Sequence, residues 1–91
     1  MDTEYDNYPY HDRIAANRDV MVGKPVVKGT RITVEAVLEF LAGSYNLEEL
    51  YEAYPRLTRE DLTACLLYAR DAVHREWQSS PQANRDALAK A

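Results

Sequence analysis

Asn46-Leu47-Glu48-Glu49-Leu50-Tyr51-Glu52-Ala53-Tyr54-Pro55-Arg56-Leu57-Thr58-Arg59-Glu60-Asp61-Leu62 is the stretch on which the fold turns. Asn46 belongs to the small group of residues whose side-chain oxygen can accept from an orphan N–H in the first turn of a helix. Glu49, three residues on, stands at the capping-box position. Leu47, Leu50, Tyr51 and Tyr54 then recur at the spacing of one helical face, and Pro55 ends the run. Thr58 starts a second helix with Asp61 three residues later, and Leu57 before the cap can staple against Leu62. The pattern predicts a short helix, a tight turn over residues 54–57, and a longer helix running to about Trp77.

Upstream, Val34, Val37, Leu38 and Leu41 follow the i, i+3, i+4, i+7 rule from Thr33 onward, and Gly43 stands where a C-cap glycine would. Residues 13–16 and 25–27 are candidate short strands, with the turn signal Gly23-Lys24-Pro25 between them. The connections are about two to four residues long, so three helices must pack around one core, the first lying across the other two. A short helix, a tight turn and a longer helix have the order of a helix-turn-helix, whose last helix reads the major groove. The predicted fold is mainly α, a three-helix helix-turn-helix domain preceded by a short N-terminal β-strand pair.

The chain has 91 residues, 46% of them hydrophobic and 29% charged, which is globular composition for one small domain. A domain of this size buries a modest fraction of its surface, so dimerisation is expected. No apolar run approaches the roughly 20 residues a bilayer crossing needs, and Met1 to Tyr10 is acidic and Tyr-rich, unlike a secretory leader. Cys65 is the sole cysteine, which leaves no intramolecular disulfide and no Cys-based zinc site and fits a reducing cytoplasm. The net charge of −4 argues against nucleic-acid binding by bulk electrostatics. That acidity sits in residues 33–57, with five acids and one base, while the flanking segments each balance five against five.

Placed at about 100° per residue, the third helix sorts its side chains by face. Leu62, Cys65, Leu66, Ala69 and Val73 form an apolar stripe expected in the core. Arg59, Thr63, Arg70 and His74 fall on one flank, while Glu60, Asp61 and Asp71 point elsewhere. Arg can reach phosphate or a guanine edge and Thr a base, so this flank is the candidate for groove contacts. An ordinary solvated flank has the same pattern. Leu67 and Tyr68 lie off the stripe and are expected at a dimer or partner surface, unless the first helix or the N-terminal arm covers them.

The run Gly23-Lys24-Pro25-Val26-Val27-Lys28-Gly29-Thr30-Arg31-Ile32-Thr33-Val34 is followed by Val37 to Gly43, by Glu48-Glu49, and by Tyr54-Pro55-Arg56-Leu57-Thr58 before Asp61-Leu62. In order and spacing these motifs resemble domain-of-unknown-function family 433 over roughly residues 12–75. The resemblance implies a homeodomain-like three-helix domain behind a strand pair. It also implies an antitoxin role, with a PIN-like nuclease as toxin partner and promoter DNA as the operator of its own operon. The division that follows is an N-terminal arm over 1–11, the helix-turn-helix domain over 12–77 and a C-terminal tail over 78–91. The tail is expected to order on the toxin, or else to be a plain solvated extension.

Within the signature, Gly29 points to a backbone conformation closed to side chains, and Pro25 to a fixed start of the second strand. Gly23, Pro25, Gly29, Thr30, Arg31 and Pro55 are read as structural. Lys24, Lys28 and Arg31 put three cations on the arm beside the helices. Lys24 and Lys28 are added to the candidate DNA contacts, and Arg31 is expected to pair with a carboxylate such as Glu35. No nucleophile, acid–base pair or ligand cluster stands out, since His11 and His74 are far apart and Cys65 sits on the apolar stripe. The expectation is a non-enzymatic protein with no cofactor and no metal. Its alternative role is a protein-interaction module without DNA contact.

Overall fold

The computed structural model describes residues 10–79. Most of the arm and the tail beyond Ser79 lie outside the described residues, and with them the expectation that the tail orders on a partner. The described part opens with a 3-10 turn over Tyr10–Asp12 and strand β1, Ile14–Ala15, which pairs antiparallel with β2, Val26–Val27. Ile14 faces Val27 and Ala15 faces Val26. The turn signal at Gly23-Lys24-Pro25 marks only the end of the reversal. The chain first closes a small loop at Asn17, where the Asp19 N–H donates to Asn17 Oδ1 at 2.7 Å and Val20 N–H to the Asn17 carbonyl at 2.9 Å. Met21, Val22 and Gly23 then follow in the left-handed region, at φ of 49°, 51° and 86°. For a β-branched residue such as Val22 this is a strained backbone, and no sequence rule announces it.

The second edge of β2 is stitched to the start of the first helix. Val27 N–H donates to the Ile32 carbonyl at 2.8 Å and Val34 N–H to that of Pro25 at 2.9 Å. Between them Gly29 takes φ +79°, as its place in the signature requires. Thr30 locks the turn: its hydroxyl donates to the Val27 carbonyl at 2.8 Å and accepts from Ile32 N–H at 2.9 Å.

Helix α1, Val34–Gly43, starts at Thr33, whose hydroxyl accepts from Ala36 N–H at 2.9 Å. Gly43 is not the expected C-cap, because it remains the last helical residue and extended Ser44 satisfies the Phe40 carbonyl at 2.9 Å. Helix α2, Leu47–Ala53, has the expected Asn46 cap, accepting from Glu49 N–H at 3.1 Å. The Glu49 carboxylate does not complete the box, since it accepts from the Ser44 hydroxyl at 2.8 Å instead. Helix α3, Arg59–Gln78, carries the full capping box, with Thr58 and Asp61 each accepting from the other's N–H at 3.0 Å.

Helix α1 packs on both α2 and α3, and the N-terminal turn packs on α3. Val37, Leu50 and Cys65 are the largest fully buried side chains, and Leu57 and Leu62 on either side of the Thr58 cap are both buried. The core stripe of α3 is rotated from the expected one. Asp61, Leu62, Ala64, Cys65 and Leu67 are buried, whereas Leu66 is 45% and Val73 67% exposed. The reason is coverage from a second side: the N-terminal turn and β1 pack on α3 in addition to α1, so the buried arc turns toward Ala64 and Leu67.

Candidate functional site

The α3 face that remains open begins at Arg59, in the first turn after the cap. Arg59 is exposed, Thr63 is half-buried one turn on, and Arg70 and His74 are exposed further along. Thr63 commits its hydroxyl proton to the Arg59 carbonyl at 3.1 Å, leaving its oxygen as an acceptor. Arg70 is held by its neighbour: Nε and Nη2 lie 3.1 and 2.8 Å from Asp71 Oδ1. The expectation that Asp71 points away from this flank therefore needs correction, because its backbone does so while its carboxylate reaches back to the guanidinium. Leu66, Val73 and Trp77, the last 38% exposed, share the same face. The outer surface of α3 is thus cationic and apolar together, with Glu60 and Glu76 projecting away from it.

Leu67 and Tyr68 do not form an open partner surface. Leu67 is buried at 8% exposure, and half-buried Tyr68 meets the ring of Tyr10 edge-on, centroids 6.4 Å apart. The N-terminal turn supplies the cover, and Tyr10 anchors it by donating its phenol proton to Asp71 Oδ2. Burial first, then the bond to the Asp71 carboxylate, pushes the Tyr10 phenol up to about 12. The same hydrogen bond, helped by Arg70, holds the Asp71 carboxyl below the usual carboxylate value. Nothing in the pattern around Tyr10 marks it as an anchor, since Asp71 lies 61 residues downstream.

Among the signature residues, Lys24 pairs with Glu35 at 3.2 Å on the surface, so Glu35 is not the partner of Arg31. Arg31 is exposed and makes no ion pair with a described residue, so the expected pairing with a carboxylate such as Glu35 is not found among them. Lys28 is exposed at the hairpin, where its backbone N–H donates to the Arg13 carbonyl at 2.8 Å. Pro25 and Gly23 shape the turn into β2, and Pro55 follows α2 at the turn before α3. Cys65 is fully buried, and burial followed by the nearby Asp61 pushes its thiol up to about 12, far from a reactive thiolate. No helix among the described residues is long and apolar enough to cross a membrane.

With strand pair and three helices in place, a family model and a solved structure point to the same family. The model of DUF433, described as a protein of unknown function, matches residues 14–69, and the chain belongs to that family. It is 34% identical over 56 residues to the uncharacterised protein y4eO of Sinorhizobium fredii. That match spans 62% of this chain and 25% of the relative, so the chain corresponds to about a quarter of that protein's length. The crystal structure of a DUF433 member from Anabaena variabilis superposes with a TM-score of 0.58 over 94% of this chain and 84% of its own, at 24% identity, a likeness of fold.

Proposed function

We propose that this protein is a DNA-binding antitoxin that docks the outer face of α3 in the major groove of its own promoter and neutralises a partner toxin of the PIN-like nuclease class. The observation that supports the DNA reading is the α3 face itself. Arg59, Arg70 and His74 stand on it, and its nearest carboxylate, Asp71, is engaged by Tyr10 and Arg70. Arg59 lies in the first turn of α3, the end from which a recognition helix reads base edges, and Leu66 offers methyl groups suited to thymine. The acidic α2, with exposed Glu48 and Glu52, repels phosphate. It leaves the α3 face as the side open to the duplex, with exposed Lys28 of the hairpin as a candidate backbone contact. A homodimer on two half-sites completes this arrangement.

A second reading has its own support: Leu66, Val73 and Trp77 at i, i+7 and i+11 are an apolar row suited to a partner helix, which would make the same face a protein-interaction surface. Two assays separate them. The protein is purified with the product of its neighbouring gene, and the shared promoter is then offered to the protein alone and to the complex. Retention of the promoter by either, lost with Arg59→Ala, supports the first reading. Co-purification without any promoter binding replaces it by the second.

A further inference from the structure

The signature run and the Tyr54–Arg56 turn, more than twenty residues apart in sequence, meet around one cleft of about 920 Å³. Thr30 and Arg31 come from the signature, Tyr54 and Arg56 from the turn before α3, and Val20 and Met21 from the left-handed loop. We propose that this cleft binds an extended segment of a protein partner in which a carboxylate side chain is flanked by apolar ones.

Charge complementarity carries the choice of occupant. Arg31 and Arg56 are the charged residues of the lining, no acid joins them, and this in a chain of net charge −4. Both guanidiniums are exposed, and neither forms an ion pair with a described residue. Among the described residues nothing engages their donors, which stand in the planar geometry that matches a carboxylate. The rest of the wall is mainly apolar, built from Ala15, Val20, Met21, Ile32 and Ala36. A phosphate backbone gains nothing from such a wall, whereas the apolar side chains on either side of an acidic residue do. The volume is at the upper end of the range for small-molecule sites, and Asn17, Thr30, Thr33 and Tyr54 also line the wall; the side-chain oxygens of the first three already accept from backbone N–H groups, which leaves the two guanidiniums to set the choice of ligand. No residue of α3 lines the cleft, so this site is separate from the α3 face and does not depend on DNA binding. Met21 is held at the wall by the strained turn it shares with Val22.

The test uses the full chain, immobilised, and a displayed library of random octapeptides. Selected sequences should carry Asp or Glu between large apolar residues. A selected peptide should shift the amide signals of Thr30, Arg31, Tyr54 and Arg56 and leave those of Leu66 and Val73 in place. Arg31→Gln and Arg56→Gln, both surface changes, should each weaken it roughly 10-fold, as loss of a charge-assisted hydrogen bond does. Arg→Lys at either position should weaken it less, and thermal melts should show every variant folded. Three results overturn the proposal: no enrichment, enrichment of peptides without acids, or equal affinity for the folded Arg31→Gln, Arg56→Gln double variant. Stronger perturbation of the same signals by free 3-phenylpropionate would make the cleft a small-molecule site. Peptide shifts confined to α3 would move the partner surface there. Either outcome also ends the assignment.

Discussion

Arg13 Nη1 lies 3.1 Å from Oδ1 of Asp61, the carboxylate whose other oxygen accepts from the Thr58 N–H that opens α3. One side chain thus completes the capping box and ties the strand pair to the helix 48 residues downstream. Asp61 is buried at 7% exposure while Arg13 remains partly in solvent, so the cap contributes more than the ion pair. Asp61→Ala is expected to destabilise by about 1–2 kcal/mol in chemical denaturation, and Arg13→Ala by roughly 0.5 kcal/mol. A double-mutant cycle should show the two changes to be non-additive. Full additivity would mean that the hairpin is not held through Asp61.

Leu67 and Leu66 are neighbours in sequence with opposite surroundings. Leu67→Ala should cost about 2–5 kcal/mol, the range for emptying a buried leucine site, against roughly 0.5 kcal/mol for Leu66→Ala on the open face. The urea midpoints of the two variants measure the difference directly. The reverse order would restore the simpler stripe through Leu62, Leu66 and Val73.

The Tyr10–Asp71 bond predicts a pH dependence at both ends of the scale. Tyr10 has a raised folded pKa, so its contribution is complete below the unfolded value of about 10 and is lost as pH rises toward about 12. Asp71 has a lowered folded pKa, so its contribution is present above the unfolded value of about 3.9 and is lost as pH falls below it. Ultraviolet titration should show a late tyrosine ionisation that is absent in Tyr10→Phe. Acid loosening of the N-terminal turn should vanish in Asp71→Asn. A single tyrosinate step unchanged by Tyr10→Phe would contradict the anchor.

Cys65 should resist thiol reagents in the native protein at pH 8 and react fully once the chain is unfolded, because burial raises its thiol to about 12. Rapid labelling under native conditions would show that α3 opens far more readily than its packing implies.

The caps of the second and third helices are legible in the sequence because each is a local event: Asn46 and Thr58 accept from N–H groups three residues away, as Thr33 does at the first helix. Gly29 and Thr30 are legible for the same reason. The rotation of α3 is not, since a helical wheel assumes one covering partner and α3 is covered by α1 and also by the N-terminal turn with β1. Arg31 misleads because i, i+4 proximity favours Glu35, which Lys24 reaches across the turn instead. The cleft is out of reach altogether: the signature and the Tyr54–Arg56 turn each stand out as motifs, but only tertiary folding sets Arg31 beside the same cavity as Arg56.

If α3 presents its Arg59 face to promoter DNA, as proposed, promoter affinity must fall with salt in proportion to the phosphates that face neutralises. Each neutralised phosphate adds roughly 0.9 to the slope of log affinity against log salt concentration. Arg59→Ala should lower the affinity and shallow the slope by about 0.9 for each phosphate that Arg59 neutralises. Arg70→Ala should do less, because Asp71 already holds that guanidinium. Docking of α3 on DNA is contradicted if folded Arg59→Ala and Arg70→Ala variants bind the promoter with wild-type affinity and wild-type slope, or if the wild-type protein does not bind it in low salt.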